Sequence, residues 1–287
     1  MDTNQIQVQG EPTPVAKPYD GRKLSYAKTF PNPLQRTAIQ TIELLTGKWR
    51  LLSRIRAFER RGIPDGHAFF AQALDVMKID VQTPAEQLAR IPEKGPVIIT
   101  ANHPHGLVDG MVLAELVGRV RKDYKILTRS LLTDVDQISG FMIPVPFDHE
   151  DDAIAKSIEM RKCAMEHLEN DGVIVIFPSG KVASSDTAMG PVVERDWNPF
   201  TAKMIQRSKA IVVPVYFPGA NSRLYQIANQ ISATLRQGLL IREVVIAMNK
   251  PQAPIVRAPI GRDEIEAWKN DPRGFMKWLR MKTIGSA

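Results

Sequence analysis

The sequence predicts an α/β protein in which a mainly parallel central sheet is flanked by helices and preceded by an N-terminal amphipathic helical element. From residue 91 onward, short apolar runs alternate with helical segments. This alternation is typical of a parallel sheet that is covered on both faces. Hydrophobic residues make up 44% of the 287 residues, which is enough apolar material for a sizeable core.

The individual elements follow from local patterns. Strands are predicted where short runs are rich in β-branched residues, and helices where apolar residues recur every three to four positions. The predicted strands are 96–101, 125–128, 141–147, 172–177, 211–217, 242–248 and 254–261. The predicted helices are 36–61, 67–79, 108–120, 152–170, 197–209, 222–237 and 262–282.

The chain is predicted to have three parts. Residues 1–35 contain five prolines and are expected to form a flexible N-terminal arm. Residues 36–90 are predicted to be a helical element that could dock on a membrane, and residues 91–287 to form the α/β domain. We see no secretory signal, and the apolar runs at 173–177 and 211–217 are too short to span a bilayer. We therefore expect a soluble or surface-bound intracellular protein.

Positive charge is concentrated near the N-terminus. The chain has 38 basic and 31 acidic residues, and residues 1–61 hold 11 basic and 5 acidic ones. In helix 36–61, an arc of apolar side chains opposes a set of arginines, with Trp49 at the border. The arc comprises Leu44, Leu51, Leu52, Ile55 and Phe58, and the arginines are Arg50, Arg54, Arg60 and Arg61. Such a helix can pack on the domain or lie in a membrane interface, and its charge favours an anionic partner.

The residues that could catalyse a reaction or bind a ligand lie in three loops that follow predicted strands, at 102–110, 177–181 and 218–223. Because the carboxyl ends of parallel strands meet at one edge of a sheet, all three loops are expected to open on the same side. In the later loops, Lys181 and Arg223 can receive an anionic group or remain solvated.

The first loop contains a histidine and an aspartate that could act together. His103 can serve as a general base because imidazole titrates near neutral pH. Asp109, at the start of a predicted helix, can hold one ring nitrogen and stabilise the imidazolium. Gly106 and Gly110 would let the backbone turn tightly enough for the two side chains to meet. A purely structural His–Asp pair has the same spacing, so both interpretations stay open.

Other chemistries have weaker support in the sequence. His103 and His105 have the His-x-His spacing of some metal hydrolases, but the remaining histidines lie in predicted helices or in the acidic stretch 148–152. The single cysteine, Cys163, excludes a multi-cysteine metal site and a disulfide framework. The G-x-S-x-G elbow and the glycine-rich nucleotide loops are absent. A non-catalytic lipid-binding protein remains an alternative, whereas nucleic acid would require aromatic stacking partners beside the basic helix.

The three motifs together resemble the lysophospholipid acyltransferase superfamily, the glycerolipid acyltransferases related to 1-acylglycerol-3-phosphate acyltransferase. They are Asn102-His103 followed by Asp109, the Phe-Pro-x-Gly sequence at 177–180, and the Val-Pro-Val strand that leads to 221–223. The first motif is similar to Asn-His-Pro-x-Gly-x-x-Asp-Gly of the haemolysin-like bacterial branch. The similarity spans roughly residues 40–260.

The resemblance implies a membrane-associated enzyme of phospholipid biosynthesis. It would transfer a fatty acyl group from acyl-CoA or acyl carrier protein to the hydroxyl of a lysolipid, without a cofactor or metal. His103 would be the general base and Asp109 its orienting partner. The expected location is cytoplasmic, on the anionic inner face of the cell membrane, with no nucleic acid partner. The predicted substrate-binding residues are Asn102, Phe177, Pro178, Ser179, Gly180, Lys181, Asn221 and Arg223.

Two departures from the family pattern affect the expected specificity. Five residues separate His103 from Asp109, where four are commonest in the family, so the local turn is expected to differ. The usual Phe-Pro-Glu-Gly-Thr-Arg motif has Ser179 in place of the glutamate and lacks the arginine. The acceptor therefore need not be lysophosphatidic acid, although Lys181 can replace part of the missing charge.

Overall fold

The computed structural model describes residues 20, 23–129, 135–146 and 152–285. Most of the predicted N-terminal arm and the whole of the segments 130–134 and 147–151 lie outside the described residues.

A six-stranded sheet forms the centre of the protein. Its order is β3-β2-β4-β1-β7-β8, in which the first five strands are parallel and β8 pairs antiparallel with β7. The strands are β1 (Val97–Ala101), β2 (Tyr124–Thr128), β3 (Met142–Pro144), β4 (Val173–Ile176), β7 (Ile211–Tyr216) and β8 (Ile255–Val256). A separate antiparallel pair comprises β5 (Ser184–Ser185) and β6 (Val192–Val193). The predicted mainly parallel sheet is therefore confirmed.

Helices cover both faces of this sheet. They are α1 (Pro33–Glu43), α2 (Trp49–Arg60), α3 (Ala68–Val76), α4 (Ala85–Leu88), α5 (Leu107–Gly118), α6 (Ala153–Glu169), α7 (Pro199–Arg207), α8 (Arg223–Ile231), α9 (Ala233–Gly238), α10 (Leu240–Ala247), α11 (Arg262–Glu266) and α12 (Pro272–Ile284). The core on one face includes side chains of α3, α5 and α10, and the core on the other includes those of α6, α7 and α12. Both faces are buried, as the apolar composition of the central strands requires.

The N-terminal helices pack on the body with only part of their apolar surface. A π-helical turn at Leu44–Lys48 joins α1 to α2. Leu51 and Phe58 are buried, whereas Leu45 and Trp49 are exposed. The two interpretations of this segment therefore apply to different side chains, because one apolar set packs inward and another faces solvent.

The prediction of a strand at 242–248 is wrong, because these residues lie in α10. Leu240, Ile241 and Val244 are buried on one side of that helix, and burial of such a face outweighs the modest helix penalty of β-branched residues. Two predicted helices are each divided: 222–237 separates into α8 and α9 at Ser232, and 262–282 into α11 and α12. The predicted strand 254–261 shortens to β8.

None of the helices in the described part of the chain has the length and apolarity needed to cross a membrane.

The close packing of α9 against α1 depends on Gly238. A Cβ atom at this position would lie 2.9 Å from Cβ of Ile42, a separation that packed carbon atoms do not tolerate. We predict that Gly238→Ala lowers the free energy of unfolding by about 1–3 kcal/mol through overpacking, measured by urea denaturation. Gly140→Ala is the control, since an added Cβ there meets open space. Equal stability of the two variants would contradict this account of the contact.

Candidate active site

A cavity of about 580 Å³ opens beyond the carboxyl ends of β1, β2 and β4. Its position agrees with the expectation for parallel sheets, in which ligands bind outside the carboxyl ends of the strands. The residues that line it from the predicted motifs are His103, Gly106, Gly110, Phe177, Pro178, Ser179, Gly180 and Lys181. Sequence reasoning thus placed the first and second loops correctly at one edge.

Asp109 is fully buried at the start of α5 and organises the first loop. Its Oδ2 accepts hydrogen bonds from the backbone N–H groups of His105 (2.7 Å) and Gly106 (3.1 Å). Gly106 has φ of +73°, the left-handed conformation that glycine adopts most readily, and this turn brings the loop back over the carboxylate. The N-terminus of α5 favours a negative charge here.

Two imidazoles flank this carboxylate. His105 Nδ1 lies 2.9 Å from Oδ1 in an aligned hydrogen bond. His103 Nδ1 lies 3.1 Å from Oδ2, within reach of the charge. Among the described residues, however, no hydrogen bond to this Nδ1 is well aligned. Catalytic hydrogen bonds are often poorly aligned in the absence of substrate.

The ionisation of the cluster follows from these contacts. Burial alone would raise the pKa of Asp109, but the neighbouring imidazoles His105 and His103 hold that pKa below its usual value. Burial alone would lower the pKa of His105, but the charge and hydrogen bond of Asp109 outweigh it and raise that pKa. The carboxylate is therefore ionised in the neutral range, as the support of an imidazolium requires.

The two histidines differ in what their rings face. His103 lines the cavity, and its ring stacks on Phe177 with centroids 4.1 Å apart. His105 does not line the cavity, and its Nε2 packs against Gly219, where an added Cβ would lie 3.1 Å away. His103 is therefore the histidine that a ligand in this cavity can contact.

The remaining predicted binding residues lie away from the cavity lining. The side-chain amide of Asn102 donates to Phe217 O (2.8 Å) and accepts from Phe217 N (2.7 Å), which joins the ends of β1 and β7. Arg223 donates to Gly190 O, and Asn221 is buried. The geometry gives Asn102 a structural contact, and it gives the third motif no contact with the cavity.

Other lining residues were missed by sequence reasoning. Tyr26 and Phe30 come from the segment expected to be a flexible arm, while Tyr225 and Arg236 lie on α8 and α9. No motif marks them, because they come from separate elements that meet at the cavity only in the folded chain. Glu194, whose carboxylate accepts from His103 N (3.1 Å), also carried no local signal.

In the ranges that the structure describes, no three His, Cys, Asp or Glu side chains are grouped as a metal site would require. The alternative of a metal-assisted hydrolase based on His103 and His105 gains no further ligand from these residues.

Comparison with known proteins identifies the family. A model described as acyltransferase matches residues 67–252, which is more than half of the chain. The chain belongs to the acyltransferase family. The resemblance to the lysophospholipid acyltransferase superfamily, drawn from three short motifs, is thereby confirmed, and the matched range contains the cavity loops.

Relatives in this family include two lyso-glycine lipid O-acyltransferases. The protein from Phocaeicola vulgatus is 27% identical over 154 residues, covering 53% of this chain and 52% of the relative. That from Bacteroides thetaiotaomicron is 27% identical over 158 residues, covering 54% and 55%. The chain thus spans about half the length of these relatives. The crystal structure of the 1-acyl-sn-glycerophosphate acyltransferase PlsC from Thermotoga maritima is also similar, with a TM-score of 0.49 and 13% identity over 80% of this chain and 79% of that one.

The contact of His105 with Asp109 predicts a pH-dependent contribution to stability. Because the pKa of His105 is raised in the folded protein, its contribution is complete below the unfolded pKa of about 6.5 and is lost as the pH rises through the folded pKa. We expect the Tm advantage of the natural protein over His105→Asn to be largest near pH 6 and to shrink toward pH 9.

His67 supplies a control of opposite sign. Burial, followed by the charge of Lys122, lowers its pKa, so the natural protein should gain on His67→Asn as the pH rises. A difference between the natural protein and His105→Asn that does not vary with pH would show that Asp109 does not stabilise the charged form of His105.

Proposed function

We propose that this protein transfers a fatty acyl group from an acyl thioester to the hydroxyl of a lysolipid, with His103 as general base and Asp109 as its orienting partner. One observation carries the proposal: His103 lines a cavity of about 580 Å³ while its Nδ1 lies 3.1 Å from the buried carboxylate of Asp109. A base so placed can act on a hydroxyl that enters the cavity.

The chemistry follows from the orientation of the imidazole. Asp109 faces Nδ1, which leaves Nε2 as the nitrogen that can accept a proton. The acceptor oxygen attacks the thioester carbonyl carbon as its proton passes to Nε2, and the imidazolium is stabilised by Asp109. The carbon–sulfur bond then breaks, and the thiolate leaves with the proton from His103. The protein forms no covalent intermediate on this route.

The walls of the cavity support a lipid substrate. Away from the histidine, the lining is largely apolar: Ile126, Leu127, Met142, Val145, Met160, Ile176 and Phe200. A hydrocarbon chain in contact with these side chains would gain roughly 0.8 kcal/mol for each methylene removed from water. The cavity therefore has both a reactive polar end and space for acyl groups.

Cationic side chains at the cavity favour an anionic donor or acceptor. Lys181 and Arg236 both line it, and the phosphates of CoA or of a carrier-protein prosthetic group are anionic, as is the carboxylate of an amino-acid lipid headgroup. The two curated relatives are lyso-glycine lipid O-acyltransferases, which supports an acceptor of this headgroup class. Ser179 stands where the lysophosphatidate-type motif has glutamate, which is consistent with a different acceptor.

Substitution of the base tests the proposed reaction. We predict that His103→Ala and Asp109→Asn each lower kcat for acyl transfer by about 10²–10⁴-fold, since a positioned general base typically contributes this factor. The assay follows thiol release from acyl-CoA, and in parallel from acyl carrier protein, with lyso-glycine lipid and lysophosphatidic acid as acceptors. His67→Gln is the matched histidine control, because His67 lies outside the cavity lining. Unchanged rates in both variants would refute the assignment.

We further propose that the protein binds the anionic inner face of the cell membrane through the N-terminal helices. Leu34, Leu45 and Trp49, here called the docking face, are 80%, 79% and 63% exposed, and Arg50 and Arg56 on α2 are exposed too. Exposed apolar side chains next to cations are characteristic of interfacial helices. Because α1 packs against α9, which contributes Arg236 to the cavity, the docking face would hold the cavity close to lipid substrates.

Vesicle binding tests the docking face. We expect the protein to co-sediment with vesicles that contain anionic lipid, and less so at high salt, because each basic residue near the surface contributes roughly 1 kcal/mol that salt screens. Leu45→Glu combined with Trp49→Glu should weaken binding at least tenfold. Ile154→Glu on α6, equally exposed, is the control. Equal binding to neutral vesicles would contradict the role of charge.

A further inference from the structure

Glu194 is a buried carboxylate that joins the two loops of the cavity. It follows β6 in the chain, is only 6% exposed, and lies 91 residues from His103 in sequence. Its Oε2 accepts from His103 N (3.1 Å), and its Oε1 accepts from the indole N–H of Trp197 (3.0 Å). Asn198, four residues further along the chain, donates its backbone N–H to Pro178 O in the second loop (2.9 Å).

We propose that Glu194 is a positioning residue that fixes the backbone of His103 relative to the second loop, and thereby sets the position of the imidazole between Asp109 and the cavity. This inference rests on the proposed acyl transfer. Glu194 contacts the main chain of the base rather than its ring, so it acts through His103 and not on the substrate.

The backbone of His103 is held at both ends by one segment of the chain. Its N–H donates to Glu194, and its carbonyl accepts from Ala183 N (2.8 Å). Ala183 and Glu194 flank the β5–β6 pair, so this small antiparallel ribbon forms a clamp on the base. With its N–H bound to the Glu194 side chain and its carbonyl bound to the Ala183 main chain, His103 keeps side-chain rotation as its major freedom.

The clamp is in turn anchored to the domain. Arg280 on α12 donates to the carbonyl of Glu194, and Arg195 donates to Ser184 O (3.0 Å) across the ribbon. Trp197, whose indole N–H donates to Oε1 of this carboxylate, is itself buried in the core. A buried carboxylate that accepts hydrogen bonds on both oxygens, on an anchored backbone, moves little, which suits a group that sets the position of another.

The segment that follows Glu194 also holds the second loop in place. Asn198 N donates to Pro178 O (2.9 Å), and Gly180 N donates to Phe177 O (2.9 Å). Because Asn198 lies four residues after Glu194, the segment 194–198 links this loop to His103, whose ring stacks on Phe177. Loss of the carboxylate would therefore shift both the imidazole of His103 and the Phe177 ring on which it stacks.

The test separates a positioning role from a contribution to folding. We expect Glu194→Ala to lower kcat about 10²-fold with KM within about threefold, because a displacement of about 1 Å costs on this order. Glu194→Gln keeps the size and one acceptor, so it should recover part of this loss. Glu243→Ala removes a buried carboxylate that accepts from Ser222 N and Oγ instead of His103, and it should retain kcat at a temperature where both variants are folded.

A double-mutant cycle completes the test. In a His103→Ala background, Glu194→Gln should have no further effect on the residual rate, since a residue that acts through His103 has nothing left to position. Additive losses, or normal kcat in Glu194→Ala while His103→Ala is inactive, would overturn the positioning role alone. Normal kcat in His103→Ala would instead refute the proposed function.

Discussion

The burial of the Asp109 carboxylate is the constraint on which the rest of the cavity depends. A buried charge is costly unless donors and cations surround it, and here two backbone N–H groups and two imidazoles do so. The same contacts force the first loop to fold back over α5, which places His103 at the cavity. Stability of the loop and orientation of the proposed base therefore have one physical origin.

Much of the central architecture could be predicted from the sequence, because strands buried on both faces are continuous apolar runs such as Val173–Ile176. The strand predicted at 242–248 was wrong since β-branched residues occur in both states, and only packing of α10 decides between them. The meeting of the 102–110 and 177–181 loops was predictable because both follow strands of a parallel sheet, and these two strands, β1 and β4, are paired. The division of the predicted helix 222–237 into α8 and α9 was missed; it lies at Ser232, whose hydroxyl caps α9 by accepting from Thr234 N.

Some residues of the candidate site could likewise be found from the sequence, and others could not. His103 and Asp109 were found because they lie only six positions apart in one loop after a predicted strand, so their spacing can be read from the sequence. His105 was weighed only as a metal ligand, yet its ring holds the better aligned hydrogen bond to Asp109. Asn102 was expected to bind substrate, but the structure gives it two bonds to Phe217. Glu194 could not be found, since nothing in the sequence indicates that it reaches a loop 91 residues away.

The proposed base and the cationic side chains at the cavity are attached to different elements of the scaffold. His103 is held by β1, α5 and the β5–β6 ribbon, whereas Lys181 and Arg236 reach the cavity from the second loop and from α9. Under the proposed function, substitution of Arg236 on α9 would change the charge that meets a headgroup without removing a contact of His103 described above. In the proposed reaction, the charge supplied by α9 and the position of the base therefore depend on different contacts of this fold.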